Sequence, residues 1–160
     1  MIMAISPEMQ GRVEKIEKLI EEGYTLKKTS LGFIDFRNSV GKRVGVVGYN
    51  SPAGLSWIGL FFAPAVCTQM KEWSYFYVNG CVLVIASIFS GVIGFDLDGA
   101  AGTAVSISYG FMIPYLRKLN KDNGTIDMPK VNAIVVGILL AIVSSVPASI
   151  IDIAFAFLAA

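Results

Sequence analysis

Asp152 is the one ionisable side chain inside a long apolar run, residues 131–158. An acid so placed is a candidate for ion or proton handling, because a carboxylate in hydrocarbon is costly. As a helix that run measures about 42 Å at about 1.5 Å per residue, against a hydrocarbon core of roughly 30 Å. The expected place of Asp152 is therefore the outer interface, beyond Pro147. Asp96-Leu97-Asp98 sets two carboxylates in one short turn. Calcium takes about six to eight oxygen ligands, so a solvated turn is expected and no metal site. Gly41-Lys42-Arg43 partly matches a phosphate loop, but Arg replaces the Ser or Thr after the Lys, and no Gly stands five residues before Gly41. Cys67 and Cys81 lie in apolar segments with no His near them, which fits two small hydrophobes and not a disulfide. The chain contains no His at all. That removes Ser-His-Asp and Cys-His catalysis, His-containing zinc sites and His proton relays. No nucleophile-base pair is visible, so no enzyme and no cofactor are expected.

The elements that carry these residues belong in lipid. Of 160 residues 54% are hydrophobic and 16% charged, too apolar a balance for an ordinary soluble domain, and the net charge of +1 gives no nucleic-acid surface. Charge crowds into the first 50 residues: Arg12, Lys15, Lys18, Lys27, Lys28, Arg37, Lys42 and Arg43 against Glu8, Glu14, Glu17, Glu21, Glu22 and Asp35. From Ser51 onward only three polar islands interrupt the apolar run: Lys71-Glu72, 96–98 and 117–130. The spacing thus divides the chain into an N-terminal unit, 1–52, and a membrane domain, 53–160. Residues 1–5 are too short for the apolar core of a signal peptide, so none is expected.

Ser6-Pro7-Glu8 predicts a helix start and Gly23 its stop, with Met9, Val13, Ile16 and Ile20 on one face. Residues 24–30, 33–37 and 43–47 are short and β-prone, which predicts a two- or three-stranded meander. Fifty residues rarely build a core alone, so helix and strands are expected to pack on each other or on the membrane face.

Four stretches compete for the bilayer: 53–70, 76–95, 99–116 and 131–158. If all four cross, five of the 13 cations fall on the outer side. If 53–72 instead dips in and returns at Pro64, or lies in the interface, every Lys and Arg is cytoplasmic while Asp96, Asp98 and Asp152 are outside. The predicted fold is therefore a mainly α membrane protein. It has a three-span bundle (about 76–95, 99–116 and 131–151), a re-entrant or interfacial aromatic segment, and a small cytoplasmic α+β unit. A re-entrant break must shelter its backbone amides, since unpaired ones in hydrocarbon cost several kcal/mol each. Trp57, Phe61, Phe62, Lys71, Trp73, Tyr75, Tyr77, Arg117 and Lys118 are the expected membrane-interface residues. Small residues four apart mark the helix contacts: Ala86, Ser90 and Gly94; Gly102, Ser106 and Gly110; Gly137, Ala141 and Ser145. The third stretch is expected to be the inner helix.

Trp57-Ile58-Gly59-Leu60-Phe61-Phe62-Ala63-Pro64, followed by Met70-Lys71-Glu72-Trp73, resembles an uncharacterised family of small bacterial inner-membrane proteins. In that family a Phe-Phe-x-Pro segment precedes a basic aromatic patch, apolar helices and a Tyr-containing basic end, which Tyr115, Arg117 and Lys118 resemble. The resemblance covers residues 55–121. It differs at Ala63, where Gly is expected, and at Ala65-Val66, where bulky residues are. It implies a bacterial inner-membrane location and no activity.

The function expected from these features is binding: an inner-membrane accessory, inhibitor or assembly protein, N-terminus cytoplasmic and C-terminus periplasmic. Its partners would be membrane lipids and a second protein or further copies of itself. The alternative is a homo-oligomeric pore lined by the Ser-rich faces of the third and fourth stretches.

Overall fold

The computed structural model describes residues 6–29 and 31–158. It is mostly helical with one two-stranded sheet. Helix α1 (Pro7–Glu21) starts where Ser6 Oγ accepts from the Met9 amide at 3.3 Å, with Pro7 in the first turn, and buries Val13 and Ile16. Strands β1 (Tyr24–Lys28) and β2 (Ile34–Asn38) pair antiparallel, Leu26 opposite Phe36 and Lys28 opposite Ile34. The expected third strand is only a bridge, Arg37 to Arg43. Gly45 and Gly48 follow immediately, and glycine in a strand gives up side-chain packing at a high entropic cost.

Two short helices come next, α2 (Trp57–Phe61) and α3 (Ala63–Gln69), then three long ones, α4 (Ser74–Ile93), α5 (Asp98–Asp122) and α6 (Lys130–Leu158). Helices α4 and α6 are long and apolar enough to cross a membrane. Helix α5 runs past Leu116, where the sequence reading ends the third stretch. Cations in its last turns suit the carbonyl end of a helix, and Lys118 pairs with Asp122 at 2.5 Å one turn on. Helix α6 continues unbroken through Pro147.

Glycines fix how the long helices meet. A Cβ at Gly80 would come within 2.9 Å of the Ser144 carbonyl oxygen, and one at Gly91 would enter the Phe155 ring. Both pairs have the same offset in sequence, so α4 and α6 run parallel. Helix α5 returns antiparallel to α4 after a short turn at Gly94, whose φ is +71°. Ser90 Oγ accepts from the Leu97 amide across that turn at 2.9 Å. Helix α4, not α5, takes the middle position: it packs closely on both others, and the backbones of α5 and α6 make no close approach.

Helices α2 and α3 fill the space between α5 and α6 at one end. The Gly59 position touches Ile113, a Cβ at Gly110 would stand 3.3 Å from the Leu60 amide, and one at Gly137 would stand 2.9 Å from the Pro64 carbonyl. Pro114 has no N–H to give to the carbonyl four residues back, Gly110 O, and the Ser56 amide takes that place at 2.9 Å. Ser56 Oγ accepts from Gly59, Phe62 N donates to Ile58 O, and Val66 N donates to Phe62 O. The Phe62 amide and carbonyl at the break between α2 and α3 are therefore both paired.

One hydrophobic core joins the N-terminal unit to the rest: Ile16, Phe36 and Val46 share it with Cys67, Met70, Tyr109, Ile113, Tyr115 and Leu116. The Phe36 and Tyr115 rings meet at 5.9 Å, and Arg12 donates to Ala53 O at 2.6 Å. The boundary near Ser51-Pro52 is thus a buried junction, with Ser51 Oγ 3.1 Å from Tyr115 Oη.

Candidate functional site

The unit and the bundle meet at a buried polar cluster. Cross-strand register sets Tyr24, Leu26 and Lys28 on the same face as Phe36, so Lys28, though itself exposed, can reach the edge of the core with its ammonium. Its ammonium contacts both Glu72 carboxylate oxygens at 2.7 Å. Glu72 is 3% exposed. It is aimed by the end of α3: Lys71 adopts φ +57°, its amide donates to Thr68 O at 3.0 Å, and the Glu72 amide donates to Cys67 O at 2.7 Å. That pair of bonds is a Schellman ending, here with Lys where glycine is usual. Glu72 also accepts from the Ser74 amide at 3.2 Å and from the Ser74 hydroxyl, which lies 3.0 Å from Tyr109 Oη. Gly32, with φ +87°, rests directly on Ser74.

Chemically this cluster is a closed circuit. Every buried charge in it has a partner, and Ser74, 2% exposed, has no open path to a substrate. Burial pushes the neighbouring Cys67 thiol well above its ordinary range, Glu72 adding to the effect and Lys28 opposing it. The thiol is therefore a poor nucleophile.

A pocket of about 410 Å³ opens on the same side of the molecule, between the start of α1, helices α2 and α3, the end of α5 and the start of α6. Its polar wall is Gln69, Arg117, Asp127 and Lys130, and its apolar wall includes Ile58, Phe62, Ile113 and Ile134. Arg117 donates to Asp127 at 2.9 Å and to Gln69 Oε1 at 3.1 Å. At the opposite end Ser87 donates to Asp98 Oδ2 at 3.0 Å, while Oδ1 is buried without a partner among the described residues. Burial raises the Asp98 carboxyl above its ordinary value. Ser87 opposes that rise, and the Asp152 and Asp96 carboxylates beside it add to it.

Of the expected interface residues, Trp57, Phe61 and Phe62 are exposed on α2 and at its end, with Trp57 and Phe61 stacked at 6.2 Å. Trp73, Tyr77 and Lys71 are also exposed. Tyr75 is not at an interface: it is buried edge-on against Phe76 and Tyr109, because it points from the first turn of α4 toward α5. Arg117 and Lys118 are half-buried and paired, Lys118 with Asp122 and with Glu17 of α1 at 3.8 Å, so their charge is balanced within the protein.

The small residues divide. Gly110 and Gly137 sit at the close approaches already described, Ala86 is buried, and Ser106, Ala141 and Ser145 are half-buried. Gly94 ends α4 and has nothing near its would-be Cβ, so it serves the backbone conformation and not a contact. Gly102 is loose, its nearest neighbour Leu83 at 3.9 Å, and Ser90 caps the turn. Asp152 is exposed on α6 beside Asp98.

The sequence reading missed the Lys28–Glu72–Ser74–Tyr109 circuit and the contacts at Gly80 and Gly91. The first had a signal: Lys28 continues the alternation of Tyr24 and Leu26, which puts a cation on the same face as Phe36. No group of three or more His, Cys, Asp or Glu among the described residues is arranged to hold a metal. No protein-family model, no curated protein and no solved structure matches this chain.

Proposed function

We propose that this chain is a bacterial inner-membrane accessory or assembly protein that acts by binding lipid and a protein partner, its N-terminal unit held rigidly at the cytoplasmic face. One observation supports the reading most strongly: every Lys and Arg stands at one end of the bundle, and the far end carries only acids. Lys71, Arg117, Lys118, Lys121 and Lys130 stand at the end that carries the N-terminal unit, which holds the other cations, while Asp96, Asp98 and Asp152 stand at the far end. Between the ends, the outer faces of α4 and α6 are apolar, with Ile85, Phe89, Val92, Ile138, Ile142 and Ile150 all about half-exposed or more. Cations confined to one end of an apolar waist fit the positive-inside rule for three crossings, by α4, by α5 over 99–116 and by α6.

In this reading α2 and α3 form a wedge set into the cytoplasmic leaflet. Gly137 is seven residues into α6 and Gly110 seven residues before Arg117, so both contacts lie roughly 10 Å below the basic rim at about 1.5 Å per residue. That is about a third of the hydrocarbon thickness. Pairing of both the Phe62 amide and carbonyl supports such a segment, which must keep its backbone groups out of bare hydrocarbon. The reading assigns no catalytic step to the Lys28–Glu72–Ser74–Tyr109 cluster, which is internally satisfied. The pore alternative draws less support: Thr103, Ser108, Ser145 and Ser149 each donate to a carbonyl of their own helix.

Cysteine labelling tests the topology. With Cys67 and Cys81 changed to Ala, Lys71→Cys should react with a membrane-impermeant maleimide from the cytoplasm and Gly99→Cys from the outside; both positions are exposed. Reaction of position 71 from outside overturns the arrangement, and a steady conductance in planar bilayers favours the pore.

A further inference from the structure

We propose that the pocket between α2, α3, α5 and α6 holds the phosphate head and the first part of one acyl chain of an anionic phospholipid. The inference rests on the membrane reading and adds to it a defined site and a ligand class. The volume, about 410 Å³, falls in the range of small-molecule sites, roughly 300–1,000 Å³. Its charged wall carries Arg117 and Lys130 against Asp127, a balance of +1. Arg117 is fixed in place by Asp127 and Gln69, whereas Lys130 has no carboxylate partner among the described residues. Lys130 is exposed, and an ammonium without a carboxylate at the rim of an apolar cavity attracts an anion.

The rest of the wall identifies what the anion is attached to. Ile58, Phe62 and Ile134 line the pocket and are 61%, 63% and 50% exposed. The apolar wall therefore runs out onto the surface that faces lipid, and the pocket is open sideways as well as at its charged end. Ile134 lies one helical turn from Lys130, so head and chain would be gripped about 6 Å apart along α6. Free phosphate would leave the apolar wall uncovered, and a neutral hydrophobe would leave Lys130 unpaired. A zwitterionic lipid would bring its own ammonium toward the same cations. A net charge of −1 on a diacyl chain meets both walls.

Native mass spectrometry of the purified full chain in a neutral detergent, with equal amounts of phosphatidylglycerol and phosphatidylcholine, tests this. One phosphatidylglycerol should be retained in preference. Lys130→Gln should weaken that retention about fivefold, toward the phosphatidylcholine level. Ile134→Trp, which adds bulk at an exposed rim position, should remove both lipids. Equal retention of the two lipids, or an unchanged preference in Lys130→Gln, overturns the proposal. So does a variant lacking residues 1–5 that binds phosphatidylglycerol when the full chain does not, because the chain's own apolar start would then be the occupant. Alkaline extraction of cell membranes, run in parallel, separates the two levels. A chain that stays in the membrane but shows no lipid preference refutes the site alone, and a chain that is extracted refutes the membrane reading beneath it.

Discussion

Replacing Gly137 and Gly102 by Ala, one at a time, isolates the contact between the wedge and α6. Both glycines are inside helices, so each substitution gains the same intrinsic propensity, about 0.8–1.0 kcal/mol. Their surroundings differ. At Gly102 the new methyl meets only Leu83, 3.9 Å away, which is ordinary contact. At Gly137 it meets the Pro64 carbonyl carbon and oxygen at 2.9 Å and Ala65 Cα at 3.0 Å, all main chain, so α3 must move as a body. Overpacking of this kind costs about 1–3 kcal/mol. Propensity cancels between the variants, and the difference in stability should be the overpacking alone. Thermal unfolding in detergent should place Gly102→Ala above Gly137→Ala by about 2–4 °C for each kcal/mol. Equal melting temperatures would refute the argument, since the close approach of α3 to α6 could not then be what Gly137 is for.

Lys71→Gly should stabilise by about 1 kcal/mol, because the left-handed turn that aims Glu72 suits glycine; a lower melting temperature would refute the Schellman ending. Glu72→Gln should destabilise by about 1–3 kcal/mol in the same measurement, less than a fully buried pair would lose, since the Lys28 side chain is 38% exposed. Cys67, buried with a raised thiol, should resist maleimide in the folded chain and react once it is denatured, as mass shifts would report. Asp98 binds its proton more tightly folded than unfolded, so its contribution is best in acid and declines as pH rises from 3.8 through the raised folded value. Melting curves across that window should fall relative to Asp98→Asn, and parallel curves would show that the carboxyl is unperturbed.

Much of the local structure was legible because it is written in short-range chemistry. Ser6-Pro7 and Gly23 bound α1, and the long apolar runs mark α4 and α6. The hairpin was legible from alternation, while the third strand failed because glycines interrupt it. What could not be read was which faces meet. Gly94 and Gly137 look alike as small residues, yet one closes a helix and the other admits a neighbouring backbone. Pro64 signalled a break, but the use of Pro114, freeing the Gly110 carbonyl for Ser56, depends on two segments brought together only by the fold. Tyr75 read as an interface aromatic because Trp73 and Tyr77 flank it. Its position on the inner side of the same turn decides otherwise.

The wedge also dictates an order of events during synthesis. Its own residues emerge early, but the surfaces that receive it emerge late: Gly110 and Ile113 on α5, then Gly137 on α6. The N-terminal unit waits in the same way, since Phe36 and Ile16 complete their core only with Tyr115 and Leu116. Until the last helix has left the ribosome, the aromatic segment has no permanent seat against Gly137, and its apolar face is open to chaperones and proteases. A chain stopped before α6 would therefore be flawed well upstream of the stop, and protease resistance of residues 57–69 would report that the last helix had docked.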